Sequence, residues 1–213
     1  AARTASNVVI FGETGTGKEL FAQSIHNLSP RKNRPFVAIN CAALPEQLLE
    51  GLLFGTAKGS FTGAVDRAGL IEQAHGGTLL LDELNSMNMG LQAKLLRVLQ
   101  ENTVRRVGAA NEVPVNVRVI ATMNLEPAAA IDQKRLREDL YYRLNVFPIY
   151  MPPLRERGSD IILLADHFVL KYAKEMGKDV KNISSAAIEA FLCDLQVIVA
   201  EVVPKEGVGL LSG

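Results

Sequence analysis

Cysteine is nearly absent: Cys41 and Cys193 are the two thiols in 213 residues. Two thiols exclude a disulfide framework, and their separation fits no metal-ligand spacing. Both are expected to be buried small hydrophobes in a reducing cytoplasm, so the compartment reads as cytoplasmic. An excess of charge of one sign is absent as well, since 23 Lys and Arg balance 23 Asp and Glu. A broad basic face, which phosphate contacts with nucleic acid demand, is therefore not expected on this chain. No run approaches the roughly 20 apolar residues of a membrane helix, and the opening Ala-Ala-Arg-Thr has no hydrophobic signal core. His26, His75 and His167 stand at no metal spacing and are read as structural or solvent-facing. Internal repeats and low-complexity tracts are missing. What is present is 48% apolar sequence, enough for a sizeable core in one domain, or in a large domain plus a small one.

Apolar strand patterns alternate with helical ones along this core. Val8–Phe11 runs into a glycine-rich loop, and a helix is predicted at 19–28. Phe36–Asn40 is a second strand, followed by a helix at 45–54 with Pro45 at its start. Residues 69–75 read as helical ahead of a strand at 78–84. Met89–Glu101 carries Leu91, Leu95, Leu96, Val98 and Leu99 on one stripe, the core-facing side of an amphipathic helix. A strand at 117–123, a helix at 136–144 and a strand at Phe147–Tyr150 complete the pattern. Strands separated by helices predict an α/β fold, a parallel sheet with right-handed crossovers. Pro152-Pro153 then breaks the chain, and a helical unit begins at 160–176. The expected domains are 1–152 and 153–213.

The chemistry begins at Gly12-Glu13-Thr14-Gly15-Thr16-Gly17-Lys18, which has Walker A spacing between a strand and a helix. Its glycines let backbone N–H groups converge on phosphate oxygens, the helix N-terminus adds a favourable dipole, and Lys18 reaches the β and γ phosphates. Glu19 stands where the general pattern places a magnesium-binding Ser or Thr. Mg2+ then falls mainly to Asp82, phosphate oxygens and water. Asp82 and Glu83 end the apolar run Gly76-Gly77-Thr78-Leu79-Leu80-Leu81, at the strand end where ligands of open α/β sheets gather. Similarity to Walker B assigns Asp82 to the metal and Glu83 to the attacking water.

A nucleotide engine has no use for the segment between these two motifs, Gly59-Ser60-Phe61-Thr62-Gly63-Ala64. Phe61 is an apolar ring among small residues with neither helical nor strand periodicity, and reads as an exposed loop. The hexapeptide resembles the GAFTGA loop of sigma-54-dependent transcription activators, a branch of the AAA+ ATPases, with Ser60 in place of the first Ala. The resemblance runs from about residue 7 to about 194. It implies a P-loop NTPase core (1–152) with a partial helical lid (153–213), ATP and Mg2+ as cofactors, and a ring of six or seven subunits. Its partners would be the sigma-54 factor and RNA polymerase holoenzyme, touched by the 59–64 loop while ATP turns over. DNA would be held by a domain outside this chain.

Further segments extend the likeness. Val119-Ile120-Ala121-Thr122-Met123-Asn124 resembles sensor I, with Thr122 and Asn124 the candidates for sensing the γ-phosphate. Asn40 resembles the residue that engages the Walker B glutamate; an Asn capping the next turn is the alternative. The segment 136–144 resembles the family's arginine-finger segment, at Arg137 and Arg143. Guanidinium suits that role because it stays charged and spreads its charge over phosphate oxygens, although surface pairing with Glu138 and Asp139 is the plainer reading. The segments 52–56 and 85–88 look most like arginine-catabolism activators of Gram-positive bacteria. The likeness stops at both ends. Only residues 1–7 precede the first strand, and no arginine follows Arg157 to serve as sensor II. The tail from Leu195 is expected to be foreign to the family, a cloning scar or an out-of-frame reading. Two rivals share part of the pattern: another AAA+ remodelling ATPase, and a fragment that binds nucleotide or sigma factor without turnover.

Overall fold

A computed structural model describes residues 1–60, 65–158, 160–178 and 183–184. Strand β1 (Val8–Phe11) leads through the glycine loop into helix α1 (Lys18–Asn27), then β2 (Phe36–Asn40) and α2 (Glu46–Phe54). The short strands β3 (Gly55–Thr56) and β4 (Arg67–Ala68) precede α3 (Leu70–Gln73) and β5 (Thr78–Asp82). After α4 (Met89–Glu101) come β6 (Thr103–Arg105), β7 (Glu112–Pro114), β8 (Arg118–Met123), α5 (Pro127–Asp132), α6 (Glu138–Leu144) and β9 (Phe147–Tyr150). Residues Ala1–Met151 form one compact unit; Pro152 opens a second, which holds α7 (Asp160–Glu175).

The first unit is built on a five-stranded parallel sheet in the order β2-β5-β8-β1-β9. A parallel sheet is covered on both faces, which is why its strands read as continuous apolar runs. Period-two alternation sorts these residues. Val8, Ile10, Leu80 and Ile120 pack with Ala22 and Ile25 of α1. Val9, Leu79, Leu81, Val119, Ala121 and Met123 join the larger core with residues of α2, α4 and α6. The α1 face then changes character at its carboxyl end. One alternation beyond Leu80 and Ile120 stand Asp82 and Thr122, and Asn40 is in register with Asp82. A polar row thus crosses the tips of three adjacent strands, and the site is built there.

Several elements differ from the sequence expectation. The strand expected to reach residue 84 ends at Asp82, because Glu83 adopts left-handed helical dihedrals (φ 54°, ψ 48°) and starts a short 3-10 turn. The helix expected from 136 starts at Glu138, with Leu136 buried in the core and Arg137 still extended. The pairs β3–β4 and β6–β7 are two- and three-residue antiparallel contacts, too short to carry a periodic signal.

Candidate functional site

The phosphate loop connects β1 to α1. Gly12 cannot carry a side chain, since a Cβ there would lie 2.2 Å from the carbonyl oxygen of Met151. Helix α1 begins at a left-handed Gly17 with no side-chain cap, so its first amides are available to an anion. Lys18 is buried, and its Nζ donates to the carbonyls of Gly12 and Glu13, each at 2.7 Å. Burial pushes its pKa below the ordinary lysine value, while the charges of Asp82 and Glu83 pull it back up. Glu13, Thr14, Gly15 and Glu19 are exposed, and Thr16 is buried with its hydroxyl donating to the Glu13 carbonyl. An open cleft of about 450 Å³ adjoins the loop, lined by Phe11, Gly12, Glu13, Asn124, Glu126 and Tyr150.

Across the strand tips, Asp82 is held from both sides. Thr122 Oγ1 donates to its Oδ1 at 2.5 Å, and Asn40 Nδ2 donates to its Oδ2 at 2.9 Å. The resemblance led Asn40 to be expected on Glu83; the amide goes to Asp82 instead, because parallel register sets Asn40 directly beside it. Asn40 also takes the capping role, its Oδ1 accepting from the Ala42 amide at 2.8 Å. The Glu83 amide donates to Thr122 Oγ1 at 3.0 Å. Left-handed dihedrals at a non-glycine residue cost on the order of 1–3 kcal/mol, and this bond helps to hold Glu83 in them. Asn124 pairs with Asn85, whose Nδ2 donates to Asn124 Oδ1 at 2.8 Å. Asn85 is buried, and its part in the site was not read from the sequence. Cys41, next to Asn40, is buried, and burial with the charges of Asp82 and Glu83 pushes its thiol up to about 12. Cys193 lies outside the described residues.

The two candidate arginines sit at the start and within the last turn of α6. Arg137 makes a two-point pair with Asp139, at 2.9 and 2.6 Å, the surface pairing considered from the sequence. Arg143 donates twice to the carbonyl of Leu99, near the carboxyl end of α4. The segment leading into α6 is fixed by Gln92, a fully buried side chain on α4. Its Nε2 donates to the carbonyls of Met87 and Arg135, and its Oε1 accepts from the Arg137 amide at 2.8 Å. Gln92 was not picked out from the sequence, where it is one polar residue on an amphipathic helix.

Of the 59–64 loop, Gly59 and Ser60 are described; Phe61, Thr62, Gly63 and Ala64 lie outside the described residues. The loop base is closed by the β3–β4 pair and by Thr56 Oγ1 donating to the Val65 carbonyl at 2.7 Å. A second segment props it: the Ala57 amide donates to the Val107 carbonyl, and the Val107 amide to the Gly55 carbonyl. Gly108 approaches Ser60 so closely that a Cβ there would lie 2.3 Å from that of Ser60. Arg106 joins the propping segment to Glu72 by two bonds at 2.8 Å and to Asp66 at 3.1 Å. Its hydrogen bonds hold the Glu72 carboxyl below the usual carboxylate range. The supports from residues 106–108 join positions 34–52 apart and carry no local sequence signal.

The donor set fits Mg2+ and not a metal held by protein alone. Among the described residues no group of three or more His, Cys, Asp or Glu side chains could hold an ion. Asp82 and Glu83 stand close enough to Lys18 for their charges to act on it, and this fits the pattern in which Mg2+ takes one or two carboxylates and completes its shell from phosphates and water.

Together, the parallel sheet, the loop closed by Lys18 and the carboxylates at the end of β5 define a P-loop NTPase of the AAA+ class. The comparisons narrow this. The sigma-54 interaction domain family matches residues 1–150 and the AAA+ ATPase lid domain family matches 155–195; the chain belongs to the sigma-54 interaction domain family. It is 59% identical over 192 residues to the transcriptional activator RocR of Bacillus subtilis (strain 168), covering 90% of this chain and 42% of RocR. It is 55% identical over 184 residues to the nitrogen fixation protein VnfA of Azotobacter vinelandii, covering 86% of this chain and 35% of VnfA. The chain thus spans less than half the length of these relatives. The crystal structure of NtrX from Brucella abortus in complex with ATP superimposes with a TM-score of 0.80 at 37% identity, over 90% of this chain and 44% of NtrX.

Proposed function

We propose that this chain binds ATP with Mg2+, hydrolyses it, and uses the cycle to remodel the closed complex of sigma-54 and RNA polymerase holoenzyme through the 59–64 loop. The observation that carries the reading is the row Asn40, Asp82 and Thr122 at the strand tips beside a loop closed by Lys18. It occurs in a chain whose residues 1–150 match the sigma-54 interaction domain, and a similar structure was solved with ATP. Lys18 neutralises phosphate charge, and the α1 amides cradle the phosphates. Asp82 would hold Mg2+, which neutralises charge between the β and γ phosphates when bound. Glu83 orients and polarises the attacking water. Arg137 and Arg143 act as fingers on a neighbour's nucleotide in a ring of six or seven subunits. Residues 1–152 are the core, 153–213 a partial lid. DNA is held by another domain of the intact cytoplasmic protein, and the segments 52–56 and 85–88 support a role in arginine utilisation.

One panel of variants tests the reading in the full-length protein. Lys18→Ala is expected to lose ATP binding, because a buried phosphate clamp is removed. Glu83→Ala keeps binding but loses hydrolysis, by about 100-fold or more for a group acting on the water. Thr62→Ala keeps ATPase activity but loses sigma-54-dependent open-complex formation, since that loop meets the partner and not the nucleotide. Equal ATP affinity in wild type and Lys18→Ala overturns the phosphate-loop assignment. Unimpaired transcription by Thr62→Ala overturns the partner assignment.

A further inference from the structure

Thr122 is fully buried, yet its hydroxyl lies against the Asp82 carboxylate. The directions of its bonds are forced. A carboxylate accepts and an amide donates, so Thr122 gives its one proton to Asp82 Oδ1 and accepts from the Glu83 amide. No proton remains for a phosphate oxygen. Its backbone position explains the geometry: Leu81 is paired with Ala121, so the next residues along, Asp82 and Thr122, are side by side at the end of the ladder. Here the strand stops and Glu83 turns left-handed. The one hydroxyl therefore touches both halves of the acidic pair, the side chain of the first and the backbone of the second.

We propose that Thr122 is a positioning residue and not a phosphate sensor: it fixes the Asp82 carboxylate for the metal and holds the turn that sets Glu83 apart from it. The inference rests on the ATPase reading above and deepens it. Asn40 holds the other Asp82 oxygen, so the carboxylate is clamped at both ends and meets Mg2+ in one orientation. A hydrogen bond from outside the metal's own shell acts on metal affinity, with typical losses of about 10–100-fold on its removal. The same removal leaves Lys18 and the α1 amides untouched, so nucleotide binding without metal is spared.

Thr122→Val tests this in the full chain, because valine keeps the branched shape and lacks the hydroxyl; Thr122→Ser keeps the hydroxyl and lacks the methyl. Two readouts are taken: binding of a fluorescent ATP analogue in EDTA, and Mn2+ binding to the ATP-bound protein by electron paramagnetic resonance. In Thr122→Val, metal-free nucleotide binding is expected to stay within about twofold of wild type, while Mn2+ affinity falls by about tenfold or more. The Mg2+ concentration for half-maximal hydrolysis rises in step, and Thr122→Ser restores both. Thr122→Ala gives the same test if the valine variant folds poorly. Loss of metal-free ATP binding in Thr122→Val assigns the hydroxyl to the phosphates and overturns the proposal. Wild-type Mn2+ affinity in that variant overturns it as well. A wild-type protein that binds neither ATP nor Mn2+ removes the ATPase reading itself, and the proposal with it.

Discussion

His26, in the last turn of α1, is buried with Nδ1 2.9 Å from Thr78 Oγ1 and its ring tilted against Phe36. Burial pushes its pKa below the ordinary imidazole value, the charge of Arg118 lowers it further, and the Arg34 backbone opposes both. The folded protein therefore resists a proton that the unfolded chain accepts. Above the unfolded value of about 6.5 both states are neutral and the group has no effect. As pH falls through that value the unfolded state gains protons first, and stability declines until the folded state protonates too. The melting temperature is expected to fall between pH 7 and pH 5.5, with a flatter slope in His26→Asn, which can still reach Thr78. Thermal melts across that range check it; identical slopes in the two proteins would remove His26 as the cause.

At the scale of elements, α4 carries more than a hydrophobic stripe. Its Leu91, Leu95 and Leu96 fill the core as the sequence pattern demands, while Gln92 ties two loops to the start of α6. Gln92→Leu keeps a similar volume but leaves two carbonyls and one amide without their partner. The expected cost is about 3 kcal/mol, from roughly 1–3 kcal/mol for each buried group left unpaired and partial relaxation. Denaturant titration reads this directly; a loss below about 0.5 kcal/mol, the scale of surface substitutions, would show that Gln92 is not structural. Arg118 plays a similar part at the opposite end of the sheet. It is buried on β8 and donates to the carbonyls of Ser6 and Ala1, and the adjacent Val119 amide donates to Asn7 Oδ1. The chain leading into β1 is thereby strapped to the strand that carries Thr122.

On the proposed function, the arginines would make catalysis depend on the assembly. Arg137 and Arg143 are engaged on their own α4–α6 surface, with Asp139 and the Leu99 carbonyl. A group that acts on a neighbour's nucleotide makes each site dependent on two subunits. ATPase activity per subunit is therefore expected to rise steeply with protein concentration. Mixing Arg137→Ala with Glu83→Ala subunits should restore turnover that neither has alone, because each supplies what the other lacks. Specific activity that stays constant across a dilution series, with no rescue on mixing, would place both arginines outside the neighbouring site.

Contiguous motifs were legible in the sequence because their chemistry is local. Gly12 to Lys18 must be one unbroken turn between a strand and a helix, and the apolar run ending in Asp82 and Glu83 must be a buried strand. The parallel sheet followed from the same alternation of strand and helix patterns. Register lay beyond that reading. Whether Asn40 meets Asp82 or Glu83, and that Thr122 spans both acids, depends on which residues of three separate strands end at the same level. The left-handed turn at Glu83, the Gln92 tie and the Arg106 support are likewise set by partners far along the chain. Side-chain type and periodicity determine which element forms. Only the packed sheet decides which polar atoms come within hydrogen-bonding distance, because that distance is a property of several strands at once.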